Sequence, residues 1–311
     1  IEYAHNNNIE YIKLTKGNYL INGEGERYKE KGIILKSNIT LDLNNSTIIH
    51  EKNSSERYTI INIYNAENVI ICNGIIIGDR NEHDYKTINS THQWGYGVEL
   101  NGSNNIQIHN LKIKDTTGDA IVISNAYVNG DYKSCNNVEI RNNIITNCRR
   151  QGITITNGGN INIYQNEIYN INGQNPQSGI DLESDFTNEV IKNVKIYENI
   201  FYNFGNTLAI QLCWNIKNVE IRDNEITGRI VCYNCDEKLK IINNQINYGT
   251  IELDNRYNTK INKVNIIENR ITNSSIKINN GEEVYIKNNE LKNANIEKYI
   301  DTIKEENNIF K

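Results

Sequence analysis

The sequence predicts an all-β chain wound as a single-stranded, right-handed parallel β-helix of about ten coils. Three observations carry that expectation. Of 311 residues, 59 are Asn and 56 are Ile, with one Pro and no Met. Isoleucine without proline favours strands, and asparagine suits corners and left-handed backbone. An alternating apolar pair, a polar corner and a second apolar pair recur along most of the chain, and the corner carries Asn at one offset in seven successive repeats.

The elements follow in chain order. Residues 1–32 read as a lead-in segment, 33–293 as coils of one domain, and 294–311 as a C-terminal cap. The repeats read NVIICNGIII (68–77), NNIQIHNLKI (104–113), NNVEIRNNII (136–145), NINIYQNEIY (160–169), NVKIYENIFY (193–202), NVEIRDNEIT (218–227), KLKIINNQIN (238–247), KVNIIENRIT (263–272) and EVYIKNNELK (283–292). Their first apolar positions, from 69 to 284, are separated by 37, 32, 23, 33, 25, 20, 25 and 20 residues. A minimal unit of 20–25 residues with period-2 alternation is one β-helical coil. A leucine-rich repeat would need Leu at fixed offsets, and Leu is scarce. Asn143, Asn166, Asn199, Asn224, Asn244, Asn269 and Asn289 are expected to stack amide on amide at one corner, their own backbone in the left-handed region.

A second strand column precedes each repeat: GVEL (97–100), AIVI (120–123), GITI (152–155), GIDL (179–182), AIQL (209–212) and TIEL (250–253). Alternation turns the third residue of each outward, so Glu99, Val122, Thr154, Asp181 and Gln211 should form a polar stack on one face. The three intervals above 30 residues hold inserted loops at 78–97 and 124–135 and excursions at 171–178 and 183–192. Loops on a rigid solenoid usually carry function, which places the site within 78–190.

Asp181 and Glu183 lie two positions apart, so both should point outward at roughly 6.6–7 Å. That spacing overlaps the window of about 6.5–9.5 Å used by inverting glycosidases; outward carboxylates also simply keep a β-surface soluble. One coil earlier, about 4.8 Å away, come Thr154 and Thr156, preceded by Arg149, Arg150 and Gln151, with Asp119 in register beside Gln151. One arginine should face the carboxylates and the other run along the turn. A guanidinium there would keep Asp181 ionised or grip an anionic substrate group, unless it is only a surface ion pair. Glu99, about 14 Å off by stacking, suits a subsite. The longest loop contributes Arg80, His83, His92 and Trp94, the last either a plug or a sugar platform. Asp181, Glu183 and Arg150 are thus the catalytic candidates. Glu99, Asp119, Arg149, Gln151, Thr154, Arg80, His83, His92 and Trp94 are the substrate-binding ones. His83, His92 and His109 fall close together in sequence without regular ligand spacing. No metal site or cofactor is expected, although a structural divalent cation is compatible with the composition.

Other classes are disfavoured. A net charge of −5 argues against a nucleic-acid groove. No run approaches 18 apolar residues, so no membrane helix is expected, and no signal peptide opens the chain. The start at Ile1 without any Met predicts a processed form or an excised piece of a longer polypeptide. Cys72, Cys135, Cys148, Cys213, Cys232 and Cys235 should be reduced and buried, because a chain this long needs no staples and the lone C-x-x-C at 232–235 lacks a second pair.

The runs GDRNEHDY…THQWGYGVEL (78–100), GDAI (118–121), CRRQGITI (148–155) and GIDLE (179–183) resemble the pectate-lyase-like β-helix domains of bacteriophage tail spikes and preneck appendages. The opening IEYAHNNNIEYIKLTKGNYLI is similar to that family's initial segment. The resemblance implies an extracellular or virion-tail depolymerase acting on a bacterial surface polysaccharide or wall teichoic acid, with Asp181 and Glu183 as cleft acids and Arg149 and Arg150 as the anion-binding side. Asp119 would be a cleft acid or a turn stabiliser. A homotrimeric full-length spike is a further implication. The G-H-G and R-I-K triplets of polygalacturonases and the dense Asp cluster of calcium-dependent pectate lyases are absent. Hydrolysis by paired carboxylates therefore stands beside two rivals: a lyase that eliminates across a uronate, and a spike or adhesin that binds glycan without cutting it.

Overall fold

The computed structural model describes residues 1–25, 32–186, 189–202, 204, 207–255 and 261–311. Residues 26–31 of the lead-in segment and 187–188 of the 183–192 excursion lie outside the described residues. The chain is a solenoid of stacked coils whose strand pairings from coil to coil are all parallel. Each full coil lays down three segments. Gln151–Ile155, Gly158–Tyr164 and Glu167–Tyr169 make one such turn before Ser178–Leu182 begins the next. The first segments stack into an eleven-stranded sheet, and the other two share a 21-stranded sheet bent at the corner. Both run to the end of the chain: Asn295–Lys298 pairs with Ser275–Ile278, and Ile309–Phe310 with Glu290–Lys292. Residues 294–311 therefore form a further coil rather than the separate cap that was expected.

The period-2 alternation places isoleucine inside. Ile108, Ile140, Ile163, Ile196, Ile221, Ile241, Ile266 and Ile286 form one register column and are fully buried. Each buried side chain contributes about 1.5–3 kcal/mol from lost apolar surface, so the interior needs no staples. All six cysteines are free and buried. Burial pushes the Cys135 and Cys148 thiols up to about 12, which leaves no reactive thiolate at neutral pH.

The corner asparagines form a continuous ladder. Each Nδ2 donates to the Oδ1 of the next, from Asn143 through Asn166, Asn199, Asn224, Asn244, Asn269 and Asn289 to Asn308, at 2.9–3.1 Å. The backbone differs from expectation by one residue. Positive φ falls on Asn142, Gln165, Glu198, Asp223, Asn243, Glu268 and Asn288, immediately before each stacked Asn. The preceding residue makes the turn, which leaves the Asn side chain free to point inward and satisfy the strand carbonyls exposed by the bend. A second, exposed amide ladder (Asn105 to Asn68, Asn137 to Asn105, Asn193 to Asn160) does lie on residues with positive φ.

Candidate functional site

The eleven-stranded sheet carries the site. Its relevant strands are β1 (Arg57–Tyr64), β2 (Trp94–Asn101), β3 (Ile121–Ser124), β4 (Gln151–Ile155), β5 (Ser178–Leu182) and β6 (Leu208–Leu212). Register pairs Glu99 with Val122, Val122 with Thr154, Thr154 with Asp181 and Asp181 with Gln211, which is the outward stack read from the alternation.

A hydrogen-bonded network joins three of these coils. Arg150 Nη1 lies 2.9 Å from Asp119 Oδ2 and donates to Gln151 Oε1 at 2.5 Å. Thr154 Oγ1 donates to Asp119 Oδ2 at 2.8 Å, and Gln151 Nε2 donates to Asp181 Oδ2. Asp119 and Gln151 are fully buried. Gly118 is what lets Asp119 sit here: a Cβ at this position would meet the Gln93 carbonyl oxygen at 2.3 Å, so only glycine passes under the long loop. Arg149 takes the other direction. It donates to the Thr91 and His92 carbonyls and lies 4.6 Å from the Tyr85 ring centroid.

The two paired acids differ more than their spacing implied. Asp181 occupies an outward position yet is 0 % exposed, because the neighbouring rungs and the segment after β5 cover it. Glu183 is half-buried and lines a cavity of about 270 Å³ together with Asp119, Arg150, Thr154, Thr156, Glu99, Arg57, Trp94 and Tyr96. Oxygens of Asp181 and Glu183 approach within 4.8 Å, closer than the strand-spacing figure, because the strand ends at Leu182 and Glu183 is no longer held in its pleat. Burial pushes the Asp181 carboxyl well above its ordinary value, Glu183 adds to the rise, and Arg150 opposes it. Glu183 is also raised, chiefly by burial, with Arg150 opposing the rise. Asp119 is raised by burial too, with Arg150 opposing. Two carboxyls this close, one of them fully buried, resist carrying a charge each.

Buried Asp119 Oδ1, Asp181 Oδ1 and Arg150 Nε have no hydrogen-bond partner, so unsatisfied polar atoms converge beside the cavity. Asp181, Glu183 and Cys213 bring donor atoms within 4.8 Å of one another and are the group among the described residues that could share a cation. Cys213 Sγ already accepts from Gln211 Nε2 at 2.7 Å.

The remaining candidates separate. Glu99 lines the cavity and accepts from Thr59 Oγ1 at 2.6 Å. Trp94 lines it as well, with the Arg57 guanidinium 5.2 Å from its ring centroid. Arg80 instead donates to Asn172 Oδ1 at 2.8 Å outside the cavity lining. His83 and His92 are buried and engaged with each other, so neither is presented to a substrate as expected. His109 pairs with Arg141 on the other sheet, far along the coil from both. Sequence reasoning missed Arg57 and Tyr96. Neither was signalled: Arg57 meets the site only through its register opposite Trp94 on the next rung, and Tyr96 shares the parity of inward Val98 and Leu100.

With this geometry in place, comparison with known proteins adds the lineage. The sequence pattern of the right handed beta helix region matches residues 73–246. The chain belongs to the right-handed β-helix family. Two relatives come from Bacillus subtilis (strain 168). The uncharacterized protein YclG is 32% identical over 236 residues, covering 70% of this chain and 40% of its own length. The SPbeta prophage-derived uncharacterized protein YorA is 34% identical over 196 residues, covering 58% and 33%. The chain thus spans well under half the length of these relatives. Among solved structures, an exopolygalacturonase from Thermotoga maritima superposes with a TM-score of 0.65 at 15% identity, covering 96% of this chain and 84% of that one. The tailspike protein gp49 of Acinetobacter baumannii bacteriophage Fri1, a capsular polysaccharide depolymerase, gives 0.57 at 13% identity, with 94% and 57% covered. At these identities the likeness is one of fold.

Proposed function

We propose that the chain is the β-helical part of an extracellular, phage-associated depolymerase that cleaves a bacterial surface glycan in the cavity beside β2 to β5. The observation that carries this reading is the placement of Glu183, a carboxyl raised by burial, in a cavity wall directly against the still more deeply buried Asp181. A carboxyl raised above its ordinary value is better placed to protonate a glycosidic leaving oxygen. Glu183 is the general acid in this scheme. Asp181, fully buried and out of reach of a substrate, is the positioning partner beside it. Asp119, the carboxyl with a direct guanidinium contact, is the group best able to carry negative charge, and it lines the same cavity. An oxygen spacing below 4.8 Å for Asp181 and Glu183 leaves no room for the water that an inverting pair holds between its carboxyls. Glu99 and Trp94 extend the cavity along the stacked rungs, the direction in which a polymer would lie. The prophage origin of one relative and the tailspike among similar folds support the phage association.

The test is incubation with a panel of capsular polysaccharides and wall teichoic acids, followed by sizing and ultraviolet absorbance of the products. Shortened chains without new absorbance are expected, and Glu183→Gln should lower turnover by about 10²–10⁴-fold while glycan affinity is retained. Absorbing, unsaturated ends would replace hydrolysis by elimination. Binding without any shortening would make the protein a recognition spike instead.

A further inference from the structure

The long loop between the 21-stranded sheet and β2 contains a buried chain of titratable groups that the cavity chemistry does not use. His83 Nδ1 lies 2.7 Å from Asp79 Oδ2, His83 Nε2 lies 2.9 Å from His92 Nδ1, and His92 Nε2 lies 2.7 Å from the Ile88 carbonyl oxygen. The side chains of Asp79 and His83 are 1 % and 0 % exposed. Both ends of the chain are acceptors, a carboxylate and a carbonyl. Three contacts in series between two acceptors need three hydrogens, and two neutral imidazoles supply two. The third proton must be added, on His83, His92 or Asp79. Without it, one contact sets two lone pairs face to face in a dry site, which costs more than a missing bond in water.

The chain fastens a segment that reaches the cavity. His92 adopts φ +49, in the left-handed region where the chain reverses before β2. Its carbonyl and that of Thr91 hold Arg149, and two residues later Trp94 lines the cavity. We infer that Asp79, His83 and His92 form a proton-dependent clasp that positions Trp94. The three are positioning residues: with the third proton bound the 88–94 segment is fixed, and with it lost the weakest of the three contacts opens and Trp94 moves. The groups facing the clasp from neighbouring elements are named by their contacts. His50 and Tyr58 approach Asp79 from the preceding coil, Arg80, Asp84 and Tyr85 belong to the loop itself, and Arg149 comes from the following coil. Asn53 anchors Asp79 through its backbone and side-chain nitrogens at 3.1 and 2.9 Å.

The inference stands apart from the cleavage proposed above, and its readout needs no substrate. The protein is labelled with 5-fluorotryptophan, the two resonances are assigned with Trp214→Phe, and fluorine spectra are recorded across the range of about pH 5–8 where imidazoles change charge. The Trp94 resonance should move through a single one-proton step. In His83→Asn the step should vanish. In Asp79→Asn, which keeps an acceptor but removes the balancing charge, the step should move down by about 1 unit or more. A Trp94 resonance that stays constant in the wild type overturns the clasp. So does a step that survives in His83→Asn, or one that Asp79→Asn leaves in place or moves upward.

Discussion

Replacing Arg150 by Met removes the cation that faces Asp119 at 2.9 Å while keeping much of the aliphatic stem. Asp119 is fully buried and retains the Thr154 hydroxyl at 2.8 Å and the Gln151 backbone N–H, so what the variant leaves behind is a carboxylate with neutral donors and no cation in a dry site. Breaking a buried pair from one side costs about 3–5 kcal/mol, most of it the uncompensated charge. The loss has a defined pH dependence. Burial already holds the Asp119 carboxyl above its ordinary value, with Arg150 pulling the other way, so removing Arg150 raises it further. A carboxyl raised in the folded state costs nothing below its unfolded value of about 3.9 and costs progressively more as the pH climbs to the folded one. The deficit of Arg150→Met should therefore be small near pH 4 and largest at pH 8, measured by urea unfolding followed by far-ultraviolet circular dichroism. Adding Asp119→Asn removes the stranded charge, and the double variant should recover at least about 2 kcal/mol relative to the sum of the singles. Additive losses, or a deficit that grows toward acid, would refute the pairing as the organising contact of the cavity.

Two further outcomes follow from the same geometry. Asn224→Ala strips the acceptor of the Asn199 backbone N–H (2.9 Å) and the donor to the Ile196 carbonyl (3.0 Å) and breaks the amide ladder toward both Asn199 and Asn244, so unfolding free energy should fall by about 2–5 kcal/mol; Asn193→Gly on the exposed ladder, which relieves its φ of +55, should change it by less than about 0.5 kcal/mol in the same urea experiment. Gly118→Ala drives a methyl into the Gln93 carbonyl and should lift the long loop, read as faster proteolysis within 78–97 and faster amide exchange at Arg150, whose N–H donates to the Gly118 carbonyl at 3.1 Å.

The repeat, its strand alternation and the amide-stacked corner were legible in the sequence because each is a local pattern. Every coil must bury isoleucine on one side of a pleat and satisfy the carbonyls that its corner exposes, so spacing and residue type recur together. The outward column Glu99, Val122, Thr154, Asp181 and Gln211 followed from the same pleat. Which backbone position turns left-handed did not, since Asn stands on both sides of the bend at Asn142–Asn143, and only the inward-pointing amide requires the earlier residue to turn. The site was legible as a set of residues and not as an arrangement. Alternation says that Asp181 points outward, but exposure depends on what neighbouring rungs lay over it, and here they seal it beneath Glu183. His83 and His92 look like surface polar residues of a loop; nine positions apart with no periodicity, they meet only because the loop folds back under Tyr85. Sequence by itself determined the winding and the face, because hydrogen-bond and burial demands repeat with the chain. Tertiary structure alone decided which acids are dry and which arginine meets them, because those depend on contacts between coils 30 to 60 residues apart.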